Sequence, residues 1–162
     1  MNKLLQKKSV VRVKNFVNNY LPNIKLIELA DTARSAKDAA KSLNKEIGAI
    51  VKSIIFKNIE NNEYYLCLLS GDKLVSTDKL STLTGNKILK LNADECKQIT
   101  GFSIGGVSPV AHIQSPTQIF IDSNLNRYNK IYAAAGHPHV VFGITFDELC
   151  LITKGKISNI VV

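Results

Sequence analysis

Two apolar runs separated by a short polar turn constrain this chain more than any other feature. They extend from Ala49 to Lys57 and from Glu63 to Leu69, and the residues between them, Asn58 to Asn62, are polar except for Ile59. Runs of this length, rich in Ile, Val, Leu and Tyr and bounded by asparagines, read as two strands of an antiparallel hairpin. Within the first, Gly48-Ala-Ile-Val-Lys-Ser-Ile-Ile-Phe56 carries a lone lysine. Strand alternation sets Ile50, Lys52 and Ile54 on one face and Val51, Ser53 and Ile55 on the other. Lys52 must either reach solvent along its aliphatic stem or point into a polar cavity. In a cleft it is a point charge suited to a phosphate.

The other elements are read around that hairpin. Leu4, Leu5, Val10, Val13, Phe16, Val17 and Tyr20 fit one helical face across Asn2 to Tyr20, with Pro22 as a stop. Ile24 to Leu29 reads as a short strand. Ser35 is an N-cap with Asp38 as its partner, and Ala36, Ala39, Ala40 and Leu43 make a narrow stripe suited to close packing on a sheet. Asn44 and Gly48 bracket that helix's exit. Thr77 to Leu83 is a short helix closed by Gly85, Ile88 to Leu91 a short strand, and Asn92 to Thr100 a helix ending at Gly101. Strands follow around Gln118–Ile121, Lys130–Ala134 and Val140–Ile144. Thr145 and Glu148 form a capping box, and Ile157 to Val161 is a final strand. No strand–helix–strand unit repeats, and there is no linker or internal repeat. The expectation is one α+β domain over residues 1–162, a curved, mostly antiparallel mixed sheet flanked by helices.

At 162 residues, with 45% apolar and 21% charged residues, the chain has the composition of a folded domain with a real core. No apolar run approaches a membrane span, and no apolar signal core follows the basic N-terminus, so the cytoplasm is the expected compartment and no membrane partner is expected. The net charge of +8 favours polyanionic partners. Three widely separated cysteines indicate neither a disulfide framework nor a paired-cysteine zinc site. Cys67 and Cys150, each among leucines, read as small buried hydrophobes.

The segment Gly101-Phe-Ser-Ile-Gly-Gly-Val-Ser-Pro109 holds three glycines and a proline in nine residues. Gly105 and Gly106 permit conformations closed to other residues and leave amides accessible. Such amides can form an anion nest or an oxyanion hole. An ordinary tight turn is the other reading. The spacing is neither a dinucleotide fingerprint nor a Walker loop. In Ala133-Ala-Ala-Gly-His-Pro-His-Val140, His137 and His139 lie on a turn between strands without an evident third metal ligand. His137 is either a hydrogen-bonding or proton-transferring group in a cleft or a surface turn residue. Ser53, Ser103 and Ser108 lack a nucleophile-elbow context. Asp122 ends a strand, where it forms a turn or orients a partner.

Four stretches together carry a resemblance. They are Asp31-Thr-Ala-Arg-Ser-Ala-Lys-Asp-Ala-Ala40, Ile50-Val-Lys-Ser-Ile-Ile-Phe56, Thr100-Gly-Phe-Ser-Ile-Gly-Gly-Val-Ser-Pro109, and Ile119-Phe-Ile-Asp122 followed by Ala133-Ala-Ala-Gly136. In this order they resemble the YbaK/ProX family of aminoacyl-tRNA deacylases, relatives of the editing domain inserted in bacterial prolyl-tRNA synthetases. The resemblance runs from about Lys25 to Val161.

It implies hydrolysis, without metal or cofactor, of the ester joining a wrong amino acid to the terminal adenosine of tRNA. Lys52 matches the family's main functional side chain, holding the acceptor end. The loop matching Gly105-x-x-x-Pro109 lines the pocket and offers amides to the scissile carbonyl, and the tRNA 2′-hydroxyl helps position the water. The residues so implied are Lys52, Gly105, Gly106 and His137 for catalysis. Ser53, Ile104, Val107, Ser108, Pro109, Asp122 and Gly136 are implied for substrate binding.

Ser53 stands where alanine editors of the prolyl type usually carry Asn, while the Gly136-His137-Pro138 turn looks like the prolyl-editing branches. The expected substrate is a small amino acid, alanine or 2-aminobutyrate, on proline tRNA, with cysteine second. An aminoacyl-tRNA synthetase is a second candidate partner. The rival reading is a non-catalytic module that docks tRNA or a synthetase in the same cleft. A nucleotide-binding domain is disfavoured by the missing phosphate motifs.

Overall fold

The computed structural model describes residues 3–30 and 34–162. Asn2 of the first expected helix, and Asp31 to Ala33 at the head of the alanine-rich stretch, lie outside the described residues. The elements in chain order are α1 (Lys8–Asn18), β1 (Leu26–Glu28), α2 (Ala36–Leu43), β2 (Val51–Asn58), β3 (Tyr64–Ser70), α3 (Thr77–Thr84), β4 (Ile88–Lys90), α4 (Ala93–Thr100), β5 (Gln118–Asp122), β6 (Ile131–His137), β7 (Val140–Ile144), α5 (Phe146–Thr153) and β8 (Lys156–Ser158).

The hairpin is central. β2 and β3 pair antiparallel from Val51↔Ser70 to Lys57↔Tyr64. β3 lies inside a five-stranded sheet of order β4-β2-β3-β5-β8, and every one of its residues is buried. Its odd and even positions serve two cores. Tyr64, Leu66 and Leu68 join the main cluster with α1, β6, β7 and α5, while Tyr65, Cys67 and Leu69 join a second cluster with Leu80 of α3. Burial on both faces is why the run is apolar throughout.

The α+β architecture and the mixed sheet are as the sequence indicates, with two refinements. The strands form two sheets, the second being three-stranded and antiparallel in the order β1-β7-β6. In the larger sheet, β3–β5 and β5–β8 are parallel. Those pairings follow from long crossovers, through α3, β4 and α4 in one case and β6, β7 and α5 in the other. A single parallel bridge between Ile50 and Tyr132 joins the sheets.

Two boundaries differ in instructive ways. The first helix is broken at Lys7, whose extended ψ of 139° makes it the N-cap of α1 after a 3-10 turn over Leu4–Gln6. The break lets Leu4 and Leu5 reach the same core as Val10, Val13 and Val17. The last strand ends at Ser158, because Ile160 and Val161 turn into the second cluster, where Ser76 N–H donates to Ile160 O at 2.7 Å. Cys67 is fully buried, whereas Cys150 is only partly so. No helix among the described residues is long and apolar enough to cross a membrane.

One feature of the sheet creates the cleft. β4 pairs with β2 only through Phe56, Lys57 and Asn58, and Leu91 N–H on Ile55 O is the last bond on that side. The chain then turns into α4. Beyond Ile55, the edge of β2 has no neighbouring strand among the described residues until the Ile50–Tyr132 bridge. α2, with its buried Ala39 and Ala40, packs on Ile50, Tyr132 and Val141 to close the far side.

Candidate active site

The open edge of β2 faces a cavity of about 240 Å³. Its floor is the strand face bearing Val51, Ser53 and Ile55, with Cys96 of α4 and Val107 of the glycine loop. Val51, Ile55, Cys96 and Val107 are buried, whereas Arg34, Lys90, Ile104 and Gly105 are exposed at the mouth. Tyr132, Pro138 and Val141 complete the wall on the β6–β7 side. Among the described residues no carboxylate lines the cavity.

Lys52 lies half-buried at the mouth, and its ammonium donates a hydrogen bond to the main-chain carbonyl of Lys73. Burial pulls its pKa below the ordinary lysine value; Asp72 opposes that shift and Lys90 reinforces it. Both sequence alternatives for Lys52 are thus partly realised. Lys52 lines the cavity, while its ammonium is engaged by a carbonyl that lies outside that lining.

The glycine loop is a built turn. Gly106 N–H donates to Ser103 O at 2.9 Å, and Gly105 has φ +90°. A positive φ at the third position is what a type II turn requires, so glycine is needed there. The amides of Gly105 and Val107 have no acceptor among the described residues. Gly106 is needed for a different reason. A Cβ on it would come within 2.8 Å of His137 Cα and 2.9 Å of Pro138 Cδ, so the loop lies directly on the β6–β7 turn.

Behind the loop sits an aromatic and basic brace. His112 Nε2 donates to Ser108 O at 2.6 Å, and its ring meets Phe102 edge-on. The Arg12 guanidinium stacks 4.6 Å from the Phe102 centroid and donates to Ala111 O at 2.8 Å. Ala111 has φ +63°, a conformation that an alanine adopts only when held. Burial lowers the His112 pKa to about 4, the Ser108 carbonyl opposing the shift and Arg12 adding to it.

Of the residues singled out in the sequence, Lys52, Ser53, Ile104, Gly105 and Val107 line the cavity together. The others stand one layer back. Ser108 and Pro109 are buried beneath the loop, with Ser108 Oγ accepting from Val110 N–H at 3.1 Å. Gly136, with φ +89°, lets Ser9 donate to its carbonyl at 2.8 Å, tying α1 to the turn. The His137 side chain packs against His139, ring centroids 5.2 Å apart, and its Nδ1 accepts from His139 N–H at 3.1 Å. Burial, His139 and Lys7 all lower its pKa. Its main chain and Pro138, rather than its ring, meet the loop.

Asp122 is buried and accepts from Ser70 N–H at 3.1 Å and from Asn124 N–H at 2.9 Å. From the 3-10 turn it caps, Arg127 reaches Ser70 Oγ and Asp72, each at 2.8 Å. Asp122 is therefore a turn and positioning residue beside the site. Arg34, Lys90, Cys96, Tyr132 and Pro138 were not singled out in the sequence, because they come to the cavity from separate elements. Among the described residues no group of three or more His, Cys, Asp or Glu side chains is placed to hold a metal ion.

Residues 30–150 match the aminoacyl-tRNA editing domain model. The chain belongs to that family. A solved structure described as a candidate trans-editing enzyme for prolyl tRNA synthetase is 31% identical, with a TM-score of 0.89 over 96% of this chain and 98% of its own. The uncharacterized protein YwhH of Bacillus subtilis is 25% identical over 130 residues, covering 80% of this chain and 82% of that protein. The proline–tRNA ligase of Lactobacillus acidophilus is 27% identical over 147 residues, and the match takes in 79% of this chain but 26% of the ligase. This editing domain thus spans about a quarter of that ligase.

Proposed function

We propose that this editing domain is a deacylase of the YbaK/ProX type, acting in trans on mischarged proline tRNA. Its substrates are small aminoacyl esters of the class of alanine, 2-aminobutyrate and cysteine. The carrying observation is one small cavity with exposed cations at its mouth and apolar residues on its floor, lined also by Gly105 and Val107, whose amides have no acceptor among the described residues. The mouth suits the phosphates and ribose of an acceptor end, where Lys52, Arg34 and Lys90 present charge. A cavity of about 240 Å³ with an apolar floor favours a small side chain over a large one.

In this reading Lys52 anchors the acceptor end and the loop amides face the ester carbonyl. Water adds to that carbon, and the developing oxyanion is stabilised by donors already in place. The bond to the ribose oxygen then breaks, that oxygen takes a proton, and the free amino acid leaves. Among the described residues no carboxylate or histidine lines the cavity, and in this reading the neighbouring 2′-hydroxyl of the tRNA positions the water. Orientation and charge stabilisation supply the rate gain. Such a domain works where charged tRNA is found, in the cytoplasm, and a synthetase is a partner that can supply tRNA contacts this domain lacks.

The test is deacylation of alanyl-, 2-aminobutyryl- and cysteinyl-proline tRNA by purified protein. Release of amino acid at catalytic protein concentration is expected. Salt-sensitive tRNA binding without hydrolysis of any ester would instead identify a docking module.

A further inference from the structure

The floor of the cleft holds a polar atom that the fold leaves unpaired. Ser53 Oγ is buried and has no hydrogen-bond partner among the described residues. Its neighbours on the strand face, Val51 and Ile55, are core residues, and Cys96 and Val107 close the same end of the cavity. The fold itself supplies no partner to this hydroxyl, so what satisfies it must come from the cavity, as water or as a group of a bound molecule.

The main chain of Ser53 adds to this. Ile55 presents its carbonyl toward β4, and strand alternation turns the Ser53 amide and carbonyl to the same side, where no strand among the described residues pairs with them. One residue thus offers an edge amide, an edge carbonyl and a buried hydroxyl to the cavity. The cations are all at the mouth, which keeps the acceptor end outside. What reaches the floor is the side chain of the aminoacyl group.

Building on the deacylase reading, we infer that Ser53 determines specificity: its Oγ hydrogen-bonds a hydroxyl on the β-carbon of the aminoacyl group, making a seryl ester the preferred substrate. Alanine fits the same space but leaves the Ser53 hydroxyl unpaired. A thiol is a weaker donor and acceptor and ranks between them. Sites that bond a substrate hydroxyl discriminate against the analogue lacking it far more strongly than apolar pockets discriminate by size.

The experiment measures single-turnover deacylation of the same tRNA carrying serine, cysteine or alanine. Wild-type protein is expected to release serine at least about tenfold faster than alanine. In Ser53→Ala the two rates converge to within about threefold, mainly through a slower seryl reaction. Its melting temperature equals or exceeds that of wild type, since the deleted hydroxyl made no bond; a structural serine would lower it. Should Ser53→Ala fold poorly, Ser53→Cys carries the test, with a serine-to-alanine ratio below that of wild type. Equal seryl and alanyl rates in wild type, or a ratio unchanged in the variants, overturn the inference while leaving the deacylase standing. No release of any of the three esters overturns the deacylase reading and this inference with it.

Discussion

The ammonium of Lys52 is held on the main-chain carbonyl of Lys73 rather than on a carboxylate. A neutral acceptor orients the charge without cancelling it, so the cleft mouth keeps a cation for phosphate. Replacing Lys52 by Met keeps the stem and removes that charge. Deacylation is expected to fall by about two orders of magnitude or more, the scale seen when one preorganised transition-state donor is removed. Thermal unfolding should change little, and a Lys52→Met protein as active as wild type would remove the anchor from the mechanism.

Two adjacent glycines separate conformational strain from steric fit. Gly105 has φ +90° but open space, since a Cβ there would find its nearest heavy atoms at 3.6 Å. Gly105→Ala is expected to cost about 1–2 kcal/mol through strain alone and to turn the loop amide away. Gly106 lacks the positive φ but lies on His137 and Pro138. Gly106→Ala must move the loop off the β6–β7 turn, at about 1–3 kcal/mol. Denaturant unfolding gives both values. If Gly106→Ala left stability and deacylation untouched, the loop would not be braced by that turn.

The same contrast explains what could be read from the sequence. Caps at Ser35 and Thr145 and the β2–β3 hairpin are local patterns, and the structure has them where local chemistry puts them. The parallel β3–β5 and β5–β8 pairs depend on contacts about 50 and 36 residues apart, which no local pattern encodes. The cavity is legible only in part for a similar reason. Lys52 and the glycine loop stand out as a charge in an apolar strand and a cluster of glycines. Arg34, Lys90 and Tyr132 look ordinary until β4 stops short and leaves an open edge.

Asp122 acts through the backbone of its neighbours. Its carboxylate takes up Ser70 N–H and caps the turn that carries Arg127 to Asp72. Asp122→Ala leaves buried donors unsatisfied and should destabilise the protein by about 2–4 kcal/mol. Because Asp122 does not line the cavity, Asp122→Asn, which keeps an acceptor, should retain most deacylation at a temperature where it remains folded. A large loss of turnover in a stably folded Asp122→Asn protein would instead assign the carboxylate to the reaction.

His112 makes stability depend on pH in a defined window. Burial holds it near pKa 4 in the folded protein against 6.5 for a free histidine. Above pH 6.5 both folded and unfolded states carry neutral imidazole, and the stability from this site is fully present. As pH falls from 6.5 toward 4, the unfolded chain binds a proton that the folded protein does not, so stability declines. The loss across that window is on the order of 3 kcal/mol. His112→Gln removes the titration while keeping a donor for Ser108. The variant should be less stable than wild type at pH 7.5, through lost packing on Phe102, yet the gap should close or reverse by pH 4.5. Urea unfolding of both proteins across that range measures the gap. Parallel pH profiles would mean that His112 is solvated and does not titrate with folding.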